Sequence, residues 1–157
     1  MAGSGIPILL VDDDRFMRTI LCQTLQDAGY QVSQAANGKE ALELCSSTYF
    51  PIIMTDWVMP EMDGVTFCRA FRQRPAASYS YLILLTSQEG KDKLITGLEA
   101  GADEYLTKPV NEAELMVRLK TAQRILDLES SLQKSLEEIR QLSIRDALTG
   151  AFNRGYL

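Results

Sequence analysis

A doubly wound α/β sheet is the fold this sequence predicts, on three observations. Short apolar runs rich in β-branched residues alternate with segments of three- and four-residue periodicity five times, at roughly 20 to 30 residues per unit. Two of the runs end in carboxylates: Ile8-Leu9-Leu10-Val11 leads into Asp12-Asp13-Asp14, and Ile52-Ile53-Met54-Thr55 into Asp56. Two more lead into a hydroxyl pair and an ammonium: Tyr81-Leu82-Ile83-Leu84-Leu85 into Thr86-Ser87, and the stretch around Glu104-Tyr105-Leu106 to Lys108-Pro109. Ligands bind at the carboxyl ends of parallel strands, near the point where strand order reverses. Strands lying side by side would bring these groups to one edge, although sequential order does not give spatial order.

The elements follow in turn. After the first strand, Met17, Ile20, Leu21, Thr24, Leu25 and Ala28 mark one face of a helix that Gly29 ends. Asp13 or Asp14 can cap that helix, a task for which one carboxylate suffices. Surplus negative charge repels itself unless a cation is bound. Val32 to Ala35 is a short strand, and Asn37 with Glu40 resembles a capping box opening a second helix through Ala41, Leu42, Leu44 and Cys45. The Asp56 strand is closed by Pro60 and Gly64. Val65, Phe67, Cys68 and Phe71 form a helix that must stop before Pro75, because the residue ahead of a proline disfavours helical geometry. The Thr86 strand precedes a helix carrying Leu94, Ile95 and Leu98 and terminated by Gly101; the Tyr105 strand comes last.

Composition narrows the function. At 157 residues and 46% hydrophobic, the chain can bury one full core with length to spare. A net charge of -5 argues against a general nucleic-acid surface, and no apolar run suggests a membrane span. Residues 1–5 lack the basic and apolar regions of a signal peptide and read as a tag or disordered start, so a cytoplasmic location is expected. Cys22, Cys45 and Cys68 have no metal-ligand spacing and read as small residues buried on three helices. There is no histidine, which removes His-based catalysis and an internal phosphohistidine. Any group transferred to Asp56 must come from another molecule.

From Asn111 a helix opens with a second Asn-x-x-Glu box and meets no proline or glycine until Gly150. Helical character to about Leu142 gives roughly 48 Å at ~1.5 Å per residue, more than covering a sheet requires. Ile125, Leu132 and Ile139 recur every seven residues, with Leu128, Leu136 and Leu142 between and after them and Ser135 interrupting one seam position. A solitary helix would leave this stripe in water, so a second copy in parallel is expected.

Asp12-Asp13, Asp56, Thr86, Tyr105 and Lys108-Pro109, with the Pro60 and Asp63-Gly64 loop, resemble the receiver domain of bacterial two-component response regulators over residues 6–122. The resemblance implies a flavodoxin-like five-stranded sheet of order 2-1-3-4-5 and a cis bond before Pro109. It also implies a Mg²⁺ site in which Asp13 and Asp56 are direct ligands, Asp12 acts mainly through water, and the Val58 carbonyl completes the protein's share. Mg²⁺ suits such a site, since it favours oxygen ligands and retains waters. Asp56 would be the nucleophile that accepts a phosphoryl group from a sensor histidine kinase or histidine phosphotransfer protein. Lys108, the Thr86 hydroxyl and backbone amides near Trp57 and Ser87 would neutralise the transferred group. Thr86 and Tyr105 would form the switch, Tyr105 turning inward as Thr86 moves toward the phosphoryl group. Asp14 matches no required family position and reads as a helix cap.

Arg145-Asp146-Ala147-Leu148-Thr149-Gly150-Ala151-Phe152-Asn153-Arg154 resembles the opening of a GGDEF-type diguanylate cyclase domain, with Ala151 departing at the usual leucine. The implied organisation is a receiver over 6–122, a coiled-coil helix over 123–143 and the start of an output domain over 144–157. This sequence alone then makes no cyclic di-GMP; its parent would. A receiver without cyclase output, acting as an interaction module, is the alternative. A phosphatase using an aspartyl-phosphate on a related sheet is disfavoured, because such enzymes carry a second Asp where this chain has Val58.

Overall fold

The computed structural model describes the backbone of residues 5–75, 78–87 and 91–153, and the side chains of the same residues except 91 and 146–153. β1 (Pro7–Val11), β2 (Gln31–Ala35), β3 (Ile52–Asp56), β4 (Tyr81–Thr86) and β5 (Glu104–Thr107) form one sheet in the order β2-β1-β3-β4-β5, with every pairing parallel. This is the flavodoxin-like arrangement. The crossovers are α1 (Arg15–Asp27), α2 (Gly38–Ser47), α3 (Gly64–Gln73) and α4 (Lys91–Glu99), and α5 (Glu112–Asn153) follows the last strand.

Alternate strand residues feed two apolar layers. Ile8, Leu10, Met54 and Ile83 pack with Leu21, Leu25, Leu115 and Leu119 of α1 and α5, whereas Leu9, Ile53, Leu82 and Leu84 pack with Ala41, Phe67 and Cys68 of α2 and α3. Burial of each such Leu or Ile contributes about 1.5–3 kcal/mol, so the central strands are held rigidly and their ends with them. Asp14, Asn37 and Asp63 cap α1, α2 and α3 by accepting from amide groups of the first turn. Gly29 and Gly101 take positive φ where α1 and α4 end.

The face of α1 differs from the sequence expectation, and on α4 the apolar residues turn outward. On α1 the buried residues are Leu21, Cys22 and Leu25, while Ile20 points to solvent with Phe16. On α4, Leu94, Ile95 and Leu98 are all exposed, and the helix meets the sheet through Gly97 and Ala100. The reason is proximity: a Cβ on Gly97 would lie 2.9 Å from Leu84 Cδ2 and 3.5 Å from the Trp57 ring. A backbone that close leaves no room for leucine beneath it. Cys22 and Cys68 are buried as expected, but Cys45 is only partly so; burial pushes the Cys68 thiol up to about 12.

α5 runs on past Leu142, since no proline intervenes and Asn153 is still helical. At 42 residues it is about 63 Å long. Leu115, Leu119 and Ala122 lie in the core, whereas every side chain from 130 to 145 is exposed. No helix among the described residues is long and apolar enough to cross a membrane.

Candidate functional site

Sheet register aligns the loaded strand ends. Val11 pairs with Thr55, Asp56 with Leu85 and Thr86 with Thr107. Asp12, Asp56, Thr86 and Lys108 therefore emerge at one edge, and the sheet's order reverses between β1 and β3, where the acids lie.

Asp12 is fully buried. One of its carboxylate oxygens accepts from the Asp14 amide at 2.9 Å, and the other lies 3.3 Å from Lys108 Nζ. Lys108 Nζ is also 3.2 Å from Asp56 Oδ1, so a single ammonium bridges two acids contributed by different strands. The Lys108 amide donates to the Thr86 carbonyl at 2.7 Å, and the Lys108–Pro109 bond is cis, as expected. Asp13 is exposed beside this pair. One oxygen from each of Asp12, Asp13 and Asp56 lies within 4.8 Å of the others.

The charges do not balance. Among the described residues three carboxylates gather around one ammonium, and the Asp56 carboxyl is held above its ordinary range: burial raises it most, Lys108 pulls it down, and Asp12 pushes it up again. For Lys108 burial acts downward, but attraction by Asp56 and Asp12 prevails and holds the ammonium above its usual value. A hard divalent cation fits this cluster. Neighbouring oxygens on an octahedral Mg²⁺ at about 2.1 Å lie about 3 Å apart, so these carboxylates, within 4.8 Å of one another, would have to draw closer to share it. The donors are oxygens throughout, and the exposed side of Asp13 leaves room for water.

Phosphoryl-facing and switch residues take distinct positions. The Trp57 amide donates to Asp56 Oδ1 at 2.8 Å and to the Leu85 carbonyl at 2.9 Å, so a ligand would have to share or displace these partners. Val58 is exposed next to Asp56, Ser87 is exposed at the end of β4, and Thr86 is buried. Tyr105 is half-buried, its ring edge-on to Trp57 at 6.3 Å between centroids. Lys93 of α4 sits over the Trp57 ring at 5.6 Å.

Sequence reasoning did not single out Arg18. Its guanidinium donates to the Asp12 carbonyl at 2.6 Å and to Gln34 Oε1 at 3.0 Å, pinning the acidic loop to β2. Its place four residues after Asp14, one helical turn into α1, is the signal that could have found it. The role of Asp63 as the α3 cap was also missed, and so was the closeness of Gly64. A Cβ on Gly64 would lie 2.2 Å from the Asp56 carbonyl oxygen, and the Gly64 amide donates to the Trp57 carbonyl at 2.7 Å. This contact folds the Pro60–Gly64 loop back under the acid.

An acid cluster bridged by one lysine, at the reversal point of a five-stranded parallel sheet, defines a receiver-type regulatory domain. The profile of the response regulator receiver domain matches residues 8–120, and the chain belongs to that family. Response regulator MprA of Mycobacterium bovis is 33% identical over 151 residues, covering 96% of this chain. The chain spans 64% of that relative's length. Among solved structures, Vibrio cholerae chemotaxis protein CheY4 superposes with a TM-score of 0.69 at 38% identity, covering 78% of this chain and 99% of that one. The Francisella response regulator 1452 receiver domain gives 0.71 at 29% identity, covering 76% and 98%.

Proposed function

We propose that Asp56 is the phosphoacceptor of this receiver and that its modification switches the α4–β5–α5 side of the domain. The single observation that carries this reading is the Lys108 ammonium bridging Asp56 and Asp12 beside a third carboxylate. Such a cluster is short of positive charge and holds one nucleophile at the mouth of the sheet.

In the transfer, an Asp56 oxygen attacks phosphorus on a phosphohistidine of a sensor histidine kinase or phosphotransfer protein. The O–P bond forms, the P–N bond breaks, and the imidazole leaves with the electron pair and takes a proton from water. Lys108 offsets charge on the incoming group, and the Thr86 hydroxyl and the amides near Trp57 and Ser87 donate to its oxygens. Asp13, Asp56 and the Val58 carbonyl, with Asp12 through water, would hold a Mg²⁺ ion, which would supply further neutralisation of the transferred group. Movement of Thr86 toward the phosphoryl group opens space that the Tyr105 ring enters, and Tyr105 carries Trp57 and α4 with it.

The exposed stripe of α5 supports a parallel homodimer in which each receiver stands at the head of a two-stranded coiled coil. The parent protein is a cytoplasmic diguanylate cyclase on this reading, resting on residues 145–154. The side chains of 146–153, and residues 154–157 altogether, lie outside the described part of the structure. The switch would then bring two cyclase domains into alignment to make cyclic di-GMP.

The test is phosphoryl labelling with acetyl phosphate and Mg²⁺. Wild type is expected to take up about one phosphoryl group per chain and Asp56→Asn none; persistent stoichiometric labelling of the variant refutes the assignment.

A further inference from the structure

Trp57 is the chain's single tryptophan, and α4 holds its ring at two points. Lys93 Nζ sits 5.6 Å from the ring centroid, inside the ~6 Å within which a cation is drawn to an aromatic face. One turn further along the helix, a Cβ placed on Gly97 would lie 3.5 Å from Trp57 Cζ3 and 3.7 Å from Tyr105 Cδ2. Residues four apart share a helix face, so Lys93 and Gly97 meet the indole together. Tyr105 stands edge-on to the same ring at 6.3 Å, a favourable geometry for an aromatic pair. Among the described residues no carboxylate lies within ion-pair distance of the Lys93 ammonium, so the indole face is what orients it.

We infer that Lys93 is a positioning residue of the switch: by holding the Trp57 ring against α4 it keeps Tyr105 in its half-buried pose and so opposes the modified state of Asp56. The inference rests on the switch reading above. Trp57 is only 7% exposed and packs in one layer with Leu84, with Tyr105 against it. An inward turn of Tyr105 breaks the edge-on contact and draws the indole from under the cation. The backbone of the same residue donates to Asp56 Oδ1 at 2.8 Å. One residue thus offers its amide to the acid and its ring to α4, which links Lys93 to the site through two consecutive positions of the chain.

The size and the sign of the effect both follow. A cation over an exposed aromatic edge shifts a two-state population by about two- to fivefold, which biases the switch without locking it. A lysine acting directly on a phosphoryl group would favour the modified state, and its loss would weaken an anionic mimic. A lysine acting on Trp57 does the reverse: its loss frees the ring, raises the fraction of chains ready for the mimic and tightens apparent binding.

Titration of the full chain with beryllofluoride in the presence of Mg²⁺ separates these cases, read by Trp57 emission and by the fluorine resonance of the bound group. Lys93→Met keeps the aliphatic stem at an exposed helical position. It is expected to lower the midpoint about two- to fivefold, whereas Lys93→Arg, which keeps a cation for the ring, is expected to restore the wild-type midpoint. In a Tyr105→Ala background the effect of Lys93→Met is expected to vanish, because the ring whose turn it opposes is gone. A midpoint that Lys93→Met raises or leaves unchanged overturns the inference while keeping Asp56 as the phosphoacceptor, and so does a shift that persists without Tyr105. A response that survives Asp56→Asn overturns the switch reading and this inference with it.

Discussion

Asp56 and Lys108 oppose each other in how they respond to pH. The Asp56 carboxyl is raised by burial above the unfolded carboxylate value of about 3.9. As pH rises from there through its folded value, the native state gives up a proton it held more tightly than the unfolded chain, and stability falls. Lys108 is raised above its unfolded value of about 10.4, so its contribution is complete below that pH and is lost only above it. Between pH 4 and 7 the difference between wild type and Asp56→Asn therefore isolates the acid. Without Mg²⁺, the urea midpoint of wild type is expected to drop relative to the variant as pH rises across this range; the opposite slope contradicts the burial argument. Lys108→Ala leaves the fully buried Asp12 carboxylate without its cation. That is expected to cost about 3 kcal/mol in urea unfolding, partly restored by Mg²⁺; a loss below about 1 kcal/mol would mean the bridge is screened by water.

At the level of elements, the strands and the strand-end chemistry were legible because apolar runs and their terminating acids are local in sequence. What could not be read were contacts set by distance between elements. The α4 face is one such case: Gly97 lets the backbone approach Trp57 and Leu84, which turns Leu94, Ile95 and Leu98 outward. Gly64 is a second such approach, and Gly64→Ala is expected to cost about 3 kcal/mol or more in thermal unfolding, since its Cβ meets backbone that cannot yield. At the opposite edge of the sheet, Arg72 of α3 donates to the Gly101 and Ser80 carbonyls at 2.9 and 2.8 Å and to Asp103 at 2.7 Å. Tyr79 also donates to Asp103, and burial together with that bond raises its phenol. Nothing in the spacing of these residues announces the network. Arg72→Met is expected to cost about 3 kcal/mol by urea denaturation with no effect on Mg²⁺ affinity, because it loosens the end of the sheet away from Asp56.

Over the whole molecule, one rigid sheet carries a charged edge, and a helix about 63 Å long leads away from the layer beneath it. The missing helix breakers announced a long helix and the seven-residue recurrence its exposed stripe, but the expected end near Leu142 fell short, since the helix continues through Gly150 to Asn153. Leu132→Asp places a charge on the seam and is expected to convert dimer to monomer in sedimentation while leaving Asp56 labelling unchanged; an unaltered sedimentation coefficient places the interface elsewhere. The acids and the lysine were readable as a set because each ends a strand, whereas the spacing of Arg18 from Asp14 could mark it as a residue of interest but not name its partners, a backbone carbonyl at Asp12 and the side chain of Gln34. Mass-spectrometric mapping of the chain after treatment with acetyl phosphate and Mg²⁺ tests the central claim most directly. The expected result is a single acyl phosphate on Asp56 that is lost when Mg²⁺ is chelated before treatment; a stable label on any other residue, or none at all, contradicts it.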